Sequence, residues 1–561
     1  MDLRHYESVH GRYQRKILTN SNMKQITRIC LTLVLLTAFT GCEDFLTQNH
    51  PTGITDDKFW ETETHARDAL KIVYDALPGG TNGRDMPLNT SNIMIISGLS
   101  DEAVHRADYI GAYEEFTRGV HNSNWSTALW FWSSDFSGTR RASRFLEHVD
   151  KCFMDEGLKT RMKYEARALR AYYHMELFQF FGAIPIVTKS LTPNENTLSR
   201  NTEQEVYDFI ISELTECAKN LPDTYTNDEF WRVNSSACWT LIARLALFYK
   251  DFELAKNASK AVIDKNIYQL YTSKTAGANH LAELFTYTGM LNNERIMIRP
   301  GGASIAWTRF APFGIGGETY TSPTSTVVEN WETRQGKTLA ELGADSLAIY
   351  RKNPNYRNNR DPRLVASVLF SGQNFVDNTY KVDPFNSSPT NPDRIGLEKS
   401  TATGYWIKKY LDPRDRQPRG GSLDFMIVRY AEVLLNYAEA LIESGEWNNP
   451  DVTKYINMVR NRSNMPNVDV KVYNSQAKMR ELIRRERQAE LAFEGQRYYD
   501  IRRWGIVDKV MNGQVYGATN PETGVAVKVE ERAYNPQRDY LWPIPQSEIL
   551  ANPNIRQNPN Y

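Results

Sequence analysis

Apolar residues return at three- and four-residue spacing in segment after segment of this chain, and that period commits those segments to amphipathic helices. The clearest runs over 158–181, where Tyr164, Ala168, Ala171, Met175 and Phe178 fall on one face. Gly182 supplies a stop and Pro185 forbids resumption. A first helix is expected over 59–77, with Asp56 or Asp57 as N-cap and Pro78-Gly79-Gly80 ending it. Another covers 203–220, closed by Pro222. Two more, 235–250 and 252–265, meet tightly around Asp251, and their alanines (Ala237, Ala243, Ala246, Ala255, Ala258, Ala261) permit close approach. Late in the chain, 423–444 aligns Tyr430, Val433, Leu434, Tyr437, Ala438 and Leu441. Gly445 turns it into 451–462, and a last helix spans 476–494, closed by Gly495.

Antiparallel pairs of this kind resemble tetratricopeptide (TPR) units, although the Trp, Leu-Gly and Pro positions of the full repeat are missing. Between the two helical regions, 266–422 is rich in Gly, Pro, Asn, Ser and Thr. It reads as an irregular insertion with a few short strands, and long irregular segments in compact proteins usually carry function. The fold class expected is all-α: a TPR-like scaffold of helix pairs, an α-α superhelix, holding a loop-rich insertion. Residues 79–128 show turn residues and scattered aromatics, with only short periodic pieces.

Near the N-terminus, Lys24 and Arg28 precede a weakly polar-to-apolar run from Ile29 to Phe39 that is too short to span a bilayer of ~30 Å. A short apolar run behind basic residues reads as an export signal. Thr40-Gly41-Cys42 resembles a lipobox, with Phe39 where Leu is usual, so Cys42 is expected to carry the lipid. The segments are then 1–41 signal region, with Met1 and Met23 both open as the start of translation; 42–55 lipidated tether; 56–265 N-terminal helical part; 266–422 irregular ligand-binding insertion; and 423–561 C-terminal helices and tail.

Lys+Arg and Asp+Glu both number 67, so no basic excess is available to neutralise phosphates and nucleic acid is excluded as a partner. With Cys30 in the signal and Cys42 lipidated, Cys152, Cys217 and Cys238 remain. No CxxC pair suggests zinc or redox chemistry; at most one disulfide can form among the three, with Cys217–Cys238 as the pairing guessed and the disulfide state left open. Aromatic residues make up 12% of the chain, enough to leave some beyond the core for a stacking surface.

Three segments together resemble the SusD/RagB family of outer-membrane nutrient-binding lipoproteins: RYAEVLLNYAEAL from Arg429, RRERQAELAFEGQRYYDIRRWG from Arg484, and YLWPIPQSEILANPNIRQNPNY from Tyr540. CEDFL after the signal and ELFQFFGAIPIV support them. The resemblance implies a TPR-like scaffold with an irregular half that holds ligand. It also implies a SusC-like TonB-dependent transporter as partner, over which the protein sits as a hinged lid. Glu43 and Asp44 behind the lipidated Cys imply a cell-surface location, anchored in the outer membrane through lipid. The function expected is capture of a nutrient oligosaccharide for that transporter, without catalysis. A peptide ligand, as for some relatives, is the alternative, and a surface glycoside hydrolase a second one.

No G-x-S-x-G, H-E-x-x-H or P-loop is present, and the Gly-rich turn at Gly314-Ile315-Gly316-Gly317 lacks a strand–helix context. No catalytic or metal residue is therefore expected, and no cofactor; calcium stays open, since no EF-hand-like loop is visible. His174 sits among helical tyrosines and reads as packed. The basic run Arg484–Arg487 alternates with Glu481, Glu486, Glu490 and Glu494 at helical spacing and reads as internally paired. Sugar rings stack their C–H faces on Trp and Tyr. Trp307, Tyr320 and Trp125, set amid small polar residues, are the candidates, joined by Trp331, with Asp101 and Arg106 as polar partners from a loop-like stretch. Trp130 and Trp132 are read as core residues preceding a helix.

Overall fold

The computed structural model describes residues 59–77, 93–106 and 113–561, apart from 196, 304, 354–355, 377–379 and 417–420. The signal region, Cys42, the tether and the expected Asp56 or Asp57 cap lie outside the described residues. The chain divides into two compact units after Glu61, and the second, Thr62–Tyr561, holds the architecture that follows.

Six helices lead: α1 (Glu63–Tyr74), α2 (Ser126–His148), α3 (Glu156–Phe181), α4 (Glu203–Asn220), α5 (Ser235–Tyr249) and α6 (Phe252–Ile263). After Glu61 the first helix is shorter than its period suggests, because the Thr62 side chain caps it. Helix α2 overlaps the stretch read as turns and scattered aromatics only at 126–128, and the rest of it covers residues to which no element is assigned from the sequence. Trp130 and Trp132 lie inside it, and Trp132 is buried. Its polar residues (Ser126, Thr127, Ser133, Ser134, Ser137, Thr139) blur the apolar stripe. Packing decides the helix instead: Gly138 brings α2 so close to α3 that a Cβ there would sit 2.7 Å from the Tyr173 ring. Helix α3 ends as expected at Gly182, with φ of 70°. A Thr202–Glu205 capping box opens α4, and Asp251 caps α6 by accepting from the Leu254 N–H.

Four helices close the scaffold: α10 (Tyr430–Glu443), α11 (Pro450–Arg462), α12 (Gln476–Leu491) and α13 (Gln496–Arg503). Ala246, Leu247, Ala255 and Ala440 form one buried cluster, so α5, α6 and α10 pack through small residues, and the two helical regions join although the insertion separates them in sequence. Residues 425–429 are a strand, β8, and not the first turns of the helix read over 423–444. Phe-Met-Ile-Val is fully buried and pairs antiparallel with β2 (Arg295–Arg299), Arg295 opposite Arg429. That ladder makes the neck of the insertion.

Between the neck strands lie β3 (Thr321–Pro323), helices α7 (Ser325–Asn330), α8 (Ala344–Lys352) and α9 (Pro362–Ser367), and short strands β4 (Val368–Leu369), β5 (Asn374–Phe375), β6 (Tyr380–Lys381) and β7 (Trp406–Ile407). The preceding strand β1 (Ala103–His105) pairs with β3. A hairpin of β9 (Gly513–Thr519) and β10 (Ala526–Arg532) returns from the C-terminal segment to pack on α7 and α8.

The Arg/Glu run of α12 is paired, but across elements, not along its own helix. Glu490 takes Arg429 at 2.7 Å and also Arg462 and Arg363; Glu494 takes Arg429 and Lys409, each at 2.7 Å. Glu486 bridges Arg363 and Arg460, and Glu332 bridges Arg460 and Arg485. Glu294 completes the chain against Arg429 and Arg462, and Asp361 against Arg363. Six cations thus meet six carboxylates. Nearly all are buried, so the balance keeps any one charge from being left uncompensated in a low-dielectric interior. This network ties β8, α9, α11 and α12 together at the neck.

His174 is packed as expected: its Nε2 accepts from the Val187 N–H, so Nδ1 carries the proton and faces the Arg170 carbonyl. Cys152, Cys217 and Cys238 are free and buried, so the Cys217–Cys238 bridge does not form.

Candidate functional site

The rings singled out from the sequence do not form an exposed platform. Trp125, Trp307, Tyr320 and Trp331 are all buried. Trp307 stacks on Phe375 (centroids 5.8 Å, 13° between planes) and donates from Nε1 to the Ile315 carbonyl at 2.9 Å. Trp331 donates to Ala489 of α12 at 3.1 Å, and Trp125 packs edge-on against Trp542. Lacking long helices, an irregular half must fill its own interior with something large, and indoles flanked by small polar residues are what the loops wrap around. Asp101 is spent in a buried pair with Arg497, at 2.7–2.8 Å. The stretch read as a loop is β1 and its flanks: Arg106 bonds backbone-to-backbone with Tyr320 at 2.9 Å.

The structure does bring two of these residues together. Arg106 and Arg309 place their guanidinium carbons 5.2 Å and 4.4 Å from the Tyr320 ring centroid. The Tyr320 hydroxyl donates to Glu318, which also pairs with Lys399 at 3.3 Å. Burial opposes the Glu318 charge, yet these partners hold its carboxyl below the usual range. The cluster stiffens the turn between Phe310 and β3; it is a support more than a surface.

The open surface of the insertion is a cleft between α7, α8 and the β9–β10 hairpin. Two adjoining cavities, of about 50 and 320 Å³, share Ser325, Glu329, Arg351, Gly517 and Thr519. Aromatic residues surround it: Tyr350 on α8, Tyr516 on β9, and Phe370, Phe385 and Tyr405 in the wall. Tyr516 is 40% exposed and Tyr350 and Phe385 are half-buried, so these three present faces, while Phe370 and Tyr405 meet edge-on at 5.4 Å behind them.

Local geometry fixes the walls. Gly517 lets β9 approach the 403–405 turn, since a Cβ there would lie 2.3 Å from the Thr403 oxygen, and Ala518 N–H donates to that oxygen at 2.6 Å. Thr324 caps α7 and aims Ser325 and Glu329 at the cleft rim. Glu329 grips Arg351 in a two-point pair at 2.6 and 2.9 Å, which anchors α7 to α8 and keeps the guanidinium firmly charged. Ser371, Asn353, Thr519 and Lys352 add hydroxyl, amide and ammonium groups. Glu329 is the one carboxylate among the described lining residues.

Such a wall can stack apolar ring faces and hydrogen-bond hydroxyls. The hairpin that supplies Tyr516 was missed from sequence, though alternation in QVYGAT and AVKVEER around an Asn-Pro-Glu-Thr-Gly turn was the available signal.

Comparison with known proteins bears on this arrangement. Residues 290–561 match the family model described as SusD family, and residues 87–247 a model described as starch-binding associating with outer membrane. A SusD-like protein of Formosa agariphila is 24% identical over 96% of this chain and 99% of its own. The crystal structure of a SusD-like carbohydrate binding protein from Bacteroides fragilis superposes with a TM-score of 0.78 at 27% identity, covering 89% of this chain and 100% of that one. A laminarin binding SusD-like protein shares the fold at 20% identity, with a TM-score of 0.67, covering 90% of this chain and 100% of its own.

Proposed function

Because this chain belongs to the SusD family, we propose that it is a non-catalytic, lipid-anchored glycan receptor that captures an oligosaccharide in the α7–α8–hairpin cleft and passes it to a TonB-dependent transporter of the outer membrane. The observation that carries the reading is the cleft itself, whose half-exposed Tyr516, Tyr350 and Phe385 stand among hydroxyl and amide groups. Sugar rings offer apolar C–H faces to such rings and hydroxyls to such donors. Binding relatives support the same reading: one structural neighbour is described as carbohydrate binding and another as laminarin binding. Glycoside hydrolysis of the usual kind uses two carboxyl groups flanking the bond, and the described cleft lining offers Glu329 alone, already clasped by Arg351. The receptor is proposed to act without a cofactor. Anchoring rests on Cys42, and no helix among the described residues is long and apolar enough to cross a membrane.

The test is an array of glycans and peptides probed with the chain beginning at Glu43, followed by calorimetry on the hits with Tyr516→Ala. Glycan binding weakened by that substitution is the expected result. Binding of peptides alone, or release of reducing ends from a bound glycan, overturns the proposal.

A further inference from the structure

A second cavity lies away from the cleft, where the 224–234 segment before α5 faces the approach to β2. It measures about 410 Å³, within the range of small-ligand sites. Tyr225, Tyr268, Ile267, Ile296 and Ile298 line it, and Phe230 and Leu291 stand at it 42% and 79% exposed. Exposed apolar side chains of this size beside a cavity are a cost to solubility unless something covers them.

Arg295 also lines this cavity, and its side chain is only 7% exposed. Its Nη2 donates to Asp424 at 2.7 Å, while its buried Nη1 finds no acceptor among the described residues. An unmet buried guanidinium donor costs free energy, so an acceptor from outside the protein is the missing partner. The charge around it settles what kind. Asp424 neutralises Arg295, and its other oxygen accepts from the Gly301 N–H, so the charge is balanced and Asp424 is satisfied while Arg295 Nη1 still lacks an acceptor. Among the described residues no other charged side chain lines the cavity; Asn234, Asn292, Asn293 and Thr224 supply its remaining polarity. The Asn234 oxygen caps α5 by accepting from the Ala237 N–H at 2.8 Å, while its amide nitrogen makes only long contacts, at 3.4 Å, to Tyr268 and the Ile296 carbonyl.

We propose that this cavity is a second saccharide site, taking a neutral mono- or disaccharide unit whose ring packs on Tyr225, Phe230 and Leu291 and whose hydroxyl accepts from Arg295 Nη1. An anionic sugar is disfavoured, because its carboxylate would be drawn against Asp424 with no uncompensated cation to offset it. The site does not depend on the cleft. A chain with two such sites would hold one glycan at two points or two chains at once, raising apparent affinity through effective concentration.

The experiment uses the chain from Glu43 carrying Tyr516→Ala to weaken the cleft, with neutral disaccharides (maltose, cellobiose, laminaribiose, lactose) as probes read by saturation-transfer NMR and calorimetry. At least one should bind, and Phe230→Ala with Leu291→Ala should weaken it about tenfold or more. Both residues are exposed, so melting of the double variant should be unchanged, and circular dichroism checks this. Binding unchanged in that variant, no disaccharide binding at all, or tighter binding of a glucuronate disaccharide than of its neutral counterpart each overturns the proposal. Loss of the cleft reading would leave this result untouched, since its variants lie elsewhere.

Discussion

Glu490→Gln removes one charge from the neck network while nearly preserving shape, and so tests whether the Arg/Glu motif of α12 builds the fold or binds ligand. Glu490 faces Arg429, Arg462 and Arg363. Burial alone would raise its pKa, but these three guanidinium groups hold it far below the usual carboxylate range. With six cations then facing five carboxylates, one buried positive charge goes uncompensated, which costs about 3–5 kcal/mol. For a unit of about 500 residues the unfolding entropy near 60 °C is roughly 1 kcal/mol per K, so the midpoint should fall by about 3–5 °C. Scanning calorimetry at pH 7 measures this, with exposed Glu253→Gln as a control expected to shift nothing, because its i,i+3 pair with Lys256 is solvated. The sign with pH follows. A depressed folded pKa gives stability that is full above the unfolded value of ~4.3 and lost as pH falls below it, so wild type and variant should converge in acid. A midpoint within about 1 °C of wild type at pH 7 refutes the reasoning. Unchanged melting with weakened glycan binding would move the motif to the ligand site.

Three further outcomes are expected. Trp307→Ala should cost about 3–5 kcal/mol of stability, since its ring is buried against Phe375, whereas Tyr516→Ala should leave melting unchanged and cost about 2 kcal/mol of glycan affinity; paired melting and calorimetry on both variants separates core from platform. Cys42→Ser should release the protein from the membrane fraction or leave an uncleaved precursor, read by fractionation and mass; retention in the outer membrane at the mature mass would defeat the anchor reading. His174 is buried and its pKa pushed down to about 4, so it adds nothing to stability above pH 6.5 and destabilises progressively as pH falls toward 4; denaturant unfolding across that range should be less steep in pH for His174→Gln than for wild type.

Sequence alone determined the scaffold, because helix periodicity is local. Residues three and four apart share a face whatever the rest of the chain does, and caps such as Thr202, Asp251 and Gly182 act within one turn. Hence α3 to α6, α11 and α12 fall within a few residues of their expected limits. The family resemblance was likewise legible, as it rests on contiguous motifs. Tertiary structure decided the rest. Whether Trp307 or Tyr516 meets solvent depends on which distant strand covers it: Trp307 lies under Phe375, while Tyr516 stands out on a hairpin held by Thr403. Residues 425–429 became strand and not helix because β2 was there to pair with them. The partners of the α12 charges lie on β8, α9 and α11, since a buried carboxylate must find a cation in space and not one four residues along the chain.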